Sequence, residues 1–313
     1  NYNTVVGDEA GTAITTGDYN TTIGFSAGAS VTTGVKNNLM GGSAGGALTA
    51  ASFNVAIGHL ALTADTLGSR SVAVGRAALN AQNFTSATDT YNTAVGDAAG
   101  ASVTTGQYNT LIGGLAGDAQ TTADHNVALG VSTLTTNTKA NKNVAIGSNA
   151  LNVFNVTSDT DTYNTAVGYS AGGTMTTGTA NTLIGGLAGD AITTGDENTA
   201  VGQGALGANT TASGNVAVGQ SALLANTTGA GNVALGRSSL AANTTASANT
   251  GLGRNALLSN TTGANNVAVG HQALDSNTTA SNNTAVGKDA LAANTTGDRN
   301  VAVGTEALDS NTT

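Results

Sequence analysis

The chain has 313 residues, of which 9% are charged and 3% aromatic, with 44 Gly, no Pro and no Cys. The net charge of −9 speaks against a nucleic-acid binder, which is normally basic, and the absence of Cys excludes disulfides and thiolate metal sites. No apolar run reaches the roughly 20 residues of a membrane span, the first residues are not expected to act as a signal peptide, and so little charge is unlike the composition of a disordered segment.

From the first residues onward a pentapeptide recurs eighteen times, with Asn215-Val216-Ala217-Val218-Gly219 as a clean copy. Its anchors stand at 3, 20, 37, 54, 71, 92, 109, 126, 143, 164, 181, 198, 215, 232, 249, 266, 283 and 300, Asn in every copy but Ser71. The steps are 17 residues except for two of 21. A fixed short period outranks the domain count suggested by length and points to one quasi-one-dimensional array. Counting from the anchor, position 2 is Thr in nine copies, Val in eight and Asn38 in one, and position 4 is always Val, Ile, Leu or Met. Alternation closed by Gly reads as a short strand running into a turn. No segment sustains a helical period. The expected fold is all-β: a parallel β-solenoid, or β-roll, of about eighteen coils, each with two short strands and two bends. Stacked at about 4.8 Å, they would make a rod roughly 85 Å long.

Position 9 is Leu in eleven copies and Gly in seven. Where it is Gly, position 12 turns apolar (Ile14, Val31, Leu48, Val103, Met175, Ile192), with Gln120 the exception. In the Leu copies position 12 is usually Asn, as at Asn209, Asn226 and Asn243. A coil of fixed core volume explains the exchange. Position 8 is almost always Ala, which suggests close backbone approach. Both 21-residue steps carry matching four-residue insertions, near 83–90 and 155–162, expected to form a bulge or loop on one side. Residues 1–197 hold the irregular repeats and 198–313 the regular ones, where Ala212, Gly229, Ala246, Gly263, Ala280 and Gly297 alternate with a two-coil period. Both ends of the chain fall inside a repeat, so it is expected to be a segment of a longer protein or a unit that joins others end to end.

The eighteen pentapeptides contain no Asp, Glu, Lys or Arg, although an even spread of the 27 charged residues would place nearly eight there. With positions 2 and 4 turned into the coil, the opposite face of Asn with Ala, Leu or Gly is also uncharged. A second copy of the chain is expected to cover it.

Asn-Val-Ala-Ile-Gly at 54–58 and 143–147, with Asn-Val-Ala-Val-Gly at 215–219, 266–270 and 300–304, resembles the head repeats of YadA-like trimeric autotransporter adhesins. The resemblance implies a left-handed parallel β-roll packed as a homotrimer. The Asn-Thr-Ala-Val-Gly…Ala-Leu…Asn-Thr-Thr-Gly form is also similar to repeat shafts of bacteriophage tail fibres. The expected function is a non-enzymatic structural or adhesive rod, extracellular or cell-surface, forming the head or shaft of an adhesin, fibre or filament. A virion tail-fibre shaft is the alternative, and a carbohydrate-binding module is a reading of another class.

Candidate ligand contacts follow from two rows. Position 6 reads Arg237, Arg254, His271, Lys288 in consecutive coils, a basic stripe that could meet acidic groups of a surface glycan. Position 17 carries Tyr2, Tyr19, Phe53, Tyr91, Tyr108 and Tyr163, which could stack on sugars or pack at a corner. Asn-Thr-Thr at 209, 226, 243, 260, 277, 294 and 311 matches a glycosylation sequon, but glycans one coil apart would collide, so buried Asn ladders are expected instead. Repeated Thr raises ice binding. That needs a flat outward array, whereas adjacent Thr in a strand point oppositely and the pair is interrupted at Ala50, Leu67 and Lys139, so the expectation is against it. Asp159 and Asp161 suggest Ca²⁺ only weakly, and His59, His125 and His271 lie too far apart along the solenoid to share a metal. No catalytic residues, cofactor or metal site are expected.

Overall fold

The computed structural model describes residues 2–313 as strands, turns and bends, with no helix. It divides into two compact units, Asn1–Thr162 and Tyr163–Thr313. Each unit is a parallel β-solenoid of nine coils, with strands from Thr4–Val6 to Val144–Ile146 in the first and from Thr165–Val167 to Val301–Val303 in the second. Every coil strand occupies positions 2–4 and, within each unit, pairs in register with its neighbour: Val216 faces Val233, Ala217 faces Ala234 and Val218 faces Leu235. The change of repeat style at 197/198 falls inside the second unit.

The expected second strand forms only beside the two insertions, as two-residue pieces. Residues at positions 7, 9 and 17 adopt left-handed backbone, as at Ser221 (φ 57°), Leu223 (φ 50°) and Ala248 (φ 59°), and such residues interrupt an extended run. Bonding between coils continues regardless, with Leu223 N donating to Ser239 O at 3.0 Å and Thr227 N to Thr244 O at 2.8 Å.

The two faces of the strand are also reversed from expectation. Positions 1 and 3 point inward: Asn215 and Ala217 are fully buried, as are their equivalents in neighbouring coils. Positions 2 and 4 face outward. The reason is room and bonding. A coil this narrow takes Ala at position 3, and the position-1 amide answers backbone groups that nothing else reaches. Asn215 Nδ2 donates to Gly229 O at 3.0 Å, and its Oδ1 accepts the backbone N–H of Asn232 at 2.9 Å. Repeated coil after coil, this makes an internal Asn ladder.

The exchange between positions 9 and 12 holds. Leu206, Leu223 and Leu240 are fully buried, and in the Gly copies Val31, Leu48, Val103, Met175 and Ile192 fill the same interior. Position 3 joins it: Leu39, Leu111 and Leu183 occur only in coils with Gly at position 9. A Cβ on Gly189 would lie 2.7 Å from Ile192 Cδ1 and 2.8 Å from Leu183 Cδ2. In the regular coils the position-12 amides stack as a second ladder, Asn243 Nδ2 donating to Asn226 Oδ1 at 2.8 Å and to Ala246 O at 2.9 Å.

The insertions are loops whose returning arms each add a two-residue strand to the preceding coil, Thr88–Asp89 on Gly68–Ser69 and Thr160–Asp161 on Ala140–Asn141.

Candidate functional site

With one residue of each type per coil, every exposed position becomes a row along its unit, so chemistry here is a property of rows. The outward strand face is the most apolar of them. At position 4, Met40 (39% exposed), Ile57 (38%) and Leu129 (41%) in the first unit match Ile184 (39%), Leu235 (43%) and Leu252 (39%) in the second. Beside them run Thr and Val of position 2, and no charged side chain interrupts either row.

Position 17 separates the two units. The residues preceding the nine anchors of the first unit are Tyr2, Tyr19, Lys36, Phe53, Arg70, Tyr91, Tyr108, His125 and Lys142, aromatic or basic without exception. All are exposed. They stack on one another: Tyr2 on Tyr19 at 4.9 Å, Tyr91 on Tyr108 at 5.8 Å and Tyr108 on His125 at 4.7 Å. Arg70 lies between Phe53 and Tyr91, 4.8 and 5.8 Å from their ring centres, and Lys36 covers Phe53 at 5.4 Å. Both ring faces of Phe53, Tyr91 and Tyr108 are thus spent on neighbours, leaving their edges toward solvent. A sugar stacking on an aromatic needs a face, so Tyr91 and Tyr108 offer their hydroxyl edges more readily than platforms, Phe53 offers only an apolar edge, and Tyr19 keeps the face turned away from Tyr2. Tyr163, also exposed, stands at the start of the second unit, where the row continues as small or polar residues. The cations carry matched partners from the insertions: Arg70 pairs with Asp89 at 2.9 Å, and Lys142 with Asp161.

In the basic row, Arg237, Arg254 and Lys288 are exposed and His271 is half-buried. Lys288 is committed to Asp289 and Glu306; its hydrogen bond to Asp289, with the charges of both carboxylates, raises its pKa above the ordinary lysine range. Beside it lies a depression of about 370 Å³ lined by Asp275, Asp289, Glu306 and Asp309. Burial pushes the Asp275 carboxyl up, reinforced by Asp289 and opposed by His271. Arg237 and Arg254 remain the open cations of the stripe.

Asp159 accepts Asn141 Nδ2 at 2.7 Å and Asp161 holds Lys142, so this pair is engaged by protein groups. Among the described residues no cluster of three His, Cys, Asp or Glu is placed to hold a metal. The sequon residues Asn209, Asn226, Asn243, Asn260, Asn277 and Asn294 are fully buried, closed to a glycosyl carrier.

One polar centre escaped sequence reading. Ser71 replaces the anchor Asn, and in the same region position 12 holds Asp65 and Gln82, neither apolar nor Asn. Asp65 is fully buried; its Oδ1 accepts the backbone N–H of Gly68 and Phe84, each at 3.0 Å, and its Oδ2 accepts Gln82 Nε2 at 2.6 Å. Gln82 also donates to Ser71 Oγ at 2.8 Å and accepts Asn92 Nδ2 at 2.9 Å. Burial raises the Asp65 pKa although these donors oppose the shift. The network patches the Asn ladder where the first insertion leaves it, and the three coincident departures from consensus are the signal that could have found it.

Comparison with protein families and with curated proteins finds no match for the chain.

Proposed function

We propose that the chain is a non-enzymatic structural segment of an extracellular fibre, assembled from parallel copies of itself through the outward strand face. The observation that carries this reading is the uncharged apolar pair of rows at positions 2 and 4. Rows so long, exposed and free of charge resemble an interface before assembly more than a solvated surface. The left-handed winding and threefold packing implied by the YadA-like resemblance supply the arrangement: three copies, each presenting these rows to the others. The polar rows at positions 6, 14 and 17 would then remain outside as the adhesive surface. A cell-surface adhesin and a virion fibre share this construction, and the sequence flanking the segment distinguishes them.

Sedimentation and native mass measurement test it. The expected result is a trimer that Leu235→Asp with Leu252→Asp converts to folded monomers, because both side chains are surface groups whose loss leaves the coil interior intact. A wild-type chain that stays monomeric overturns the reading.

A further inference from the structure

Positions 13 and 14 of the second unit form an array that the strand-based expectation did not foresee. The Thr-Thr pair lies at a bend between the inward positions 12 and 15, so both residues face outward to different depths rather than opposing each other. The interruptions at Ala50, Leu67 and Lys139 all belong to the first unit; in the second the pair is unbroken over nine coils, from Thr176-Thr177 to Thr312-Thr313.

The inner rank is locked. Each position-13 hydroxyl from Thr176 to Thr295 donates to the position-13 carbonyl of the next coil at 3.0–3.2 Å. The outer rank, Thr177 through Thr313, is exposed in every coil. Among the described residues its hydroxyls have no protein partner. Chain pairing fixes the repeat of both ranks at about 4.8 Å, and β-branching limits their rotamers.

The surroundings are unusual for solvent-facing protein. Across five consecutive coils, Thr210–Gly214, Thr227–Gly231, Thr244–Ala248, Thr261–Asn265 and Thr278–Asn282, positions 13–17 hold only Thr, Ala, Ser, Gly and Asn. There are no charges, where a typical surface carries them at roughly a quarter of its residues, and no aromatics for sugar stacking. Position 17, bulky throughout the first unit, is here Gly214, Gly231, Ala248, Asn265 and Asn282, so little stands above the outer Thr rank.

From these features we propose that this face of the second unit binds ice. A rigid rank of unengaged hydroxyls beside methyl groups, repeating at a spacing close to that of oxygen positions in ice, can hold water in lattice register without an ordering cost at binding. Charged side chains, which would hold water in their own hydration geometry, are absent. The same surface offers neither the cations an acidic polymer needs nor the aromatics a neutral glycan needs. The proposal is independent of self-assembly, which sedimentation reads separately.

The test is partition of the full-length chain into a slowly growing ice front, with thermal hysteresis measured alongside. Wild-type protein is expected to enter the ice and to shape crystals. Thr228→Lys with Thr245→Lys and Thr262→Lys is expected to lose both while keeping the wild-type melting curve, since these hydroxyls bond to nothing in the protein. Thr245→Val, which keeps shape and β-branching, secures the comparison if the lysine variant folds poorly, and is expected to weaken partition. Arg237→Ala, on a different row, is expected to behave as wild type. Exclusion of wild-type protein from ice overturns the proposal, as does full retention of partition by the lysine variant or an equal loss in Arg237→Ala.

Discussion

At the scale of single residues, the glycine at position 5 carries the tightest constraint. Its φ lies between 120° and 143° in all eighteen coils, a region L-residues rarely adopt. A Cβ on Gly219 would stand 2.6 Å from the carbonyl carbon of Gly236 and 2.7 Å from its oxygen. Strain and overlap add, so Gly219→Ala is expected to cost about 3 kcal/mol, seen as a lower urea midpoint. An unchanged midpoint would mean that the coils can part at this point without loss. The invariance of this glycine was legible in the sequence. The left-handed backbone at positions 7, 9 and 17 was legible only in part: Gly holds position 9 in seven coils and Gly or Asn holds position 17 in four, whereas Leu, Tyr, Lys and Ser take the same conformation elsewhere without that signature.

At the scale of the coil, large side chains trade places among three positions. The coil beginning at Asn181 uses Leu183, Gly189 and Ile192, and the next uses Ala200, Leu206 and Asn209. Gly189→Leu alone overpacks a filled interior and is expected to destabilise by about 1–3 kcal/mol. Adding Leu183→Ala and Ile192→Asn reproduces the neighbouring solution, and an Asn at 192 would reach Gly195 O as Asn226 reaches Gly229 O at 2.9 Å. Most of the lost stability should return. A triple variant that melts no higher than the single one would show that the solutions are not interchangeable. The exchange between positions 9 and 12 could be read from sequence because it swaps residue classes at fixed spacing. Its third member at position 3 was hidden by the assumption that Val and Ile of the strand face inward. In a larger coil they would; here the interior admits Ala and a hydrogen-bonding amide, and the larger aliphatics are left outside. The same inversion moved the candidate interface from the Asn face to the Val face.

At the scale of the whole molecule, the titration of one buried and four half-buried carboxylates should shape the pH dependence of stability. Asp65, Asp118, Asp124, Asp190 and Asp275 all have pKa values raised by burial. A carboxyl whose folded pKa exceeds its unfolded one binds more protons in the folded state, so its contribution is full below the unfolded value and is lost as pH rises through the folded one. The net charge of −9 adds self-repulsion in the same direction. The melting temperature is therefore expected to rise as pH is lowered from neutrality toward the ordinary Asp range near about 4. Asp65→Asn should flatten part of that slope while weakening the network, since an amide nitrogen facing Gln82 Nε2 cannot accept its bond. A melting temperature that falls steadily on acidification over this range would contradict the assignment.

The period, the number of coils, the two insertions and the absence of helix were determined by sequence alone, because stacking identical coils forces equivalent residues to recur at fixed spacing. Which strand face is buried, how position 17 stacks and where the threonines point were decided by tertiary structure. Each depends on the width of the coil interior and on left-handed bends, which the residue types mark in some coils with Gly or Asn and leave unmarked in the rest.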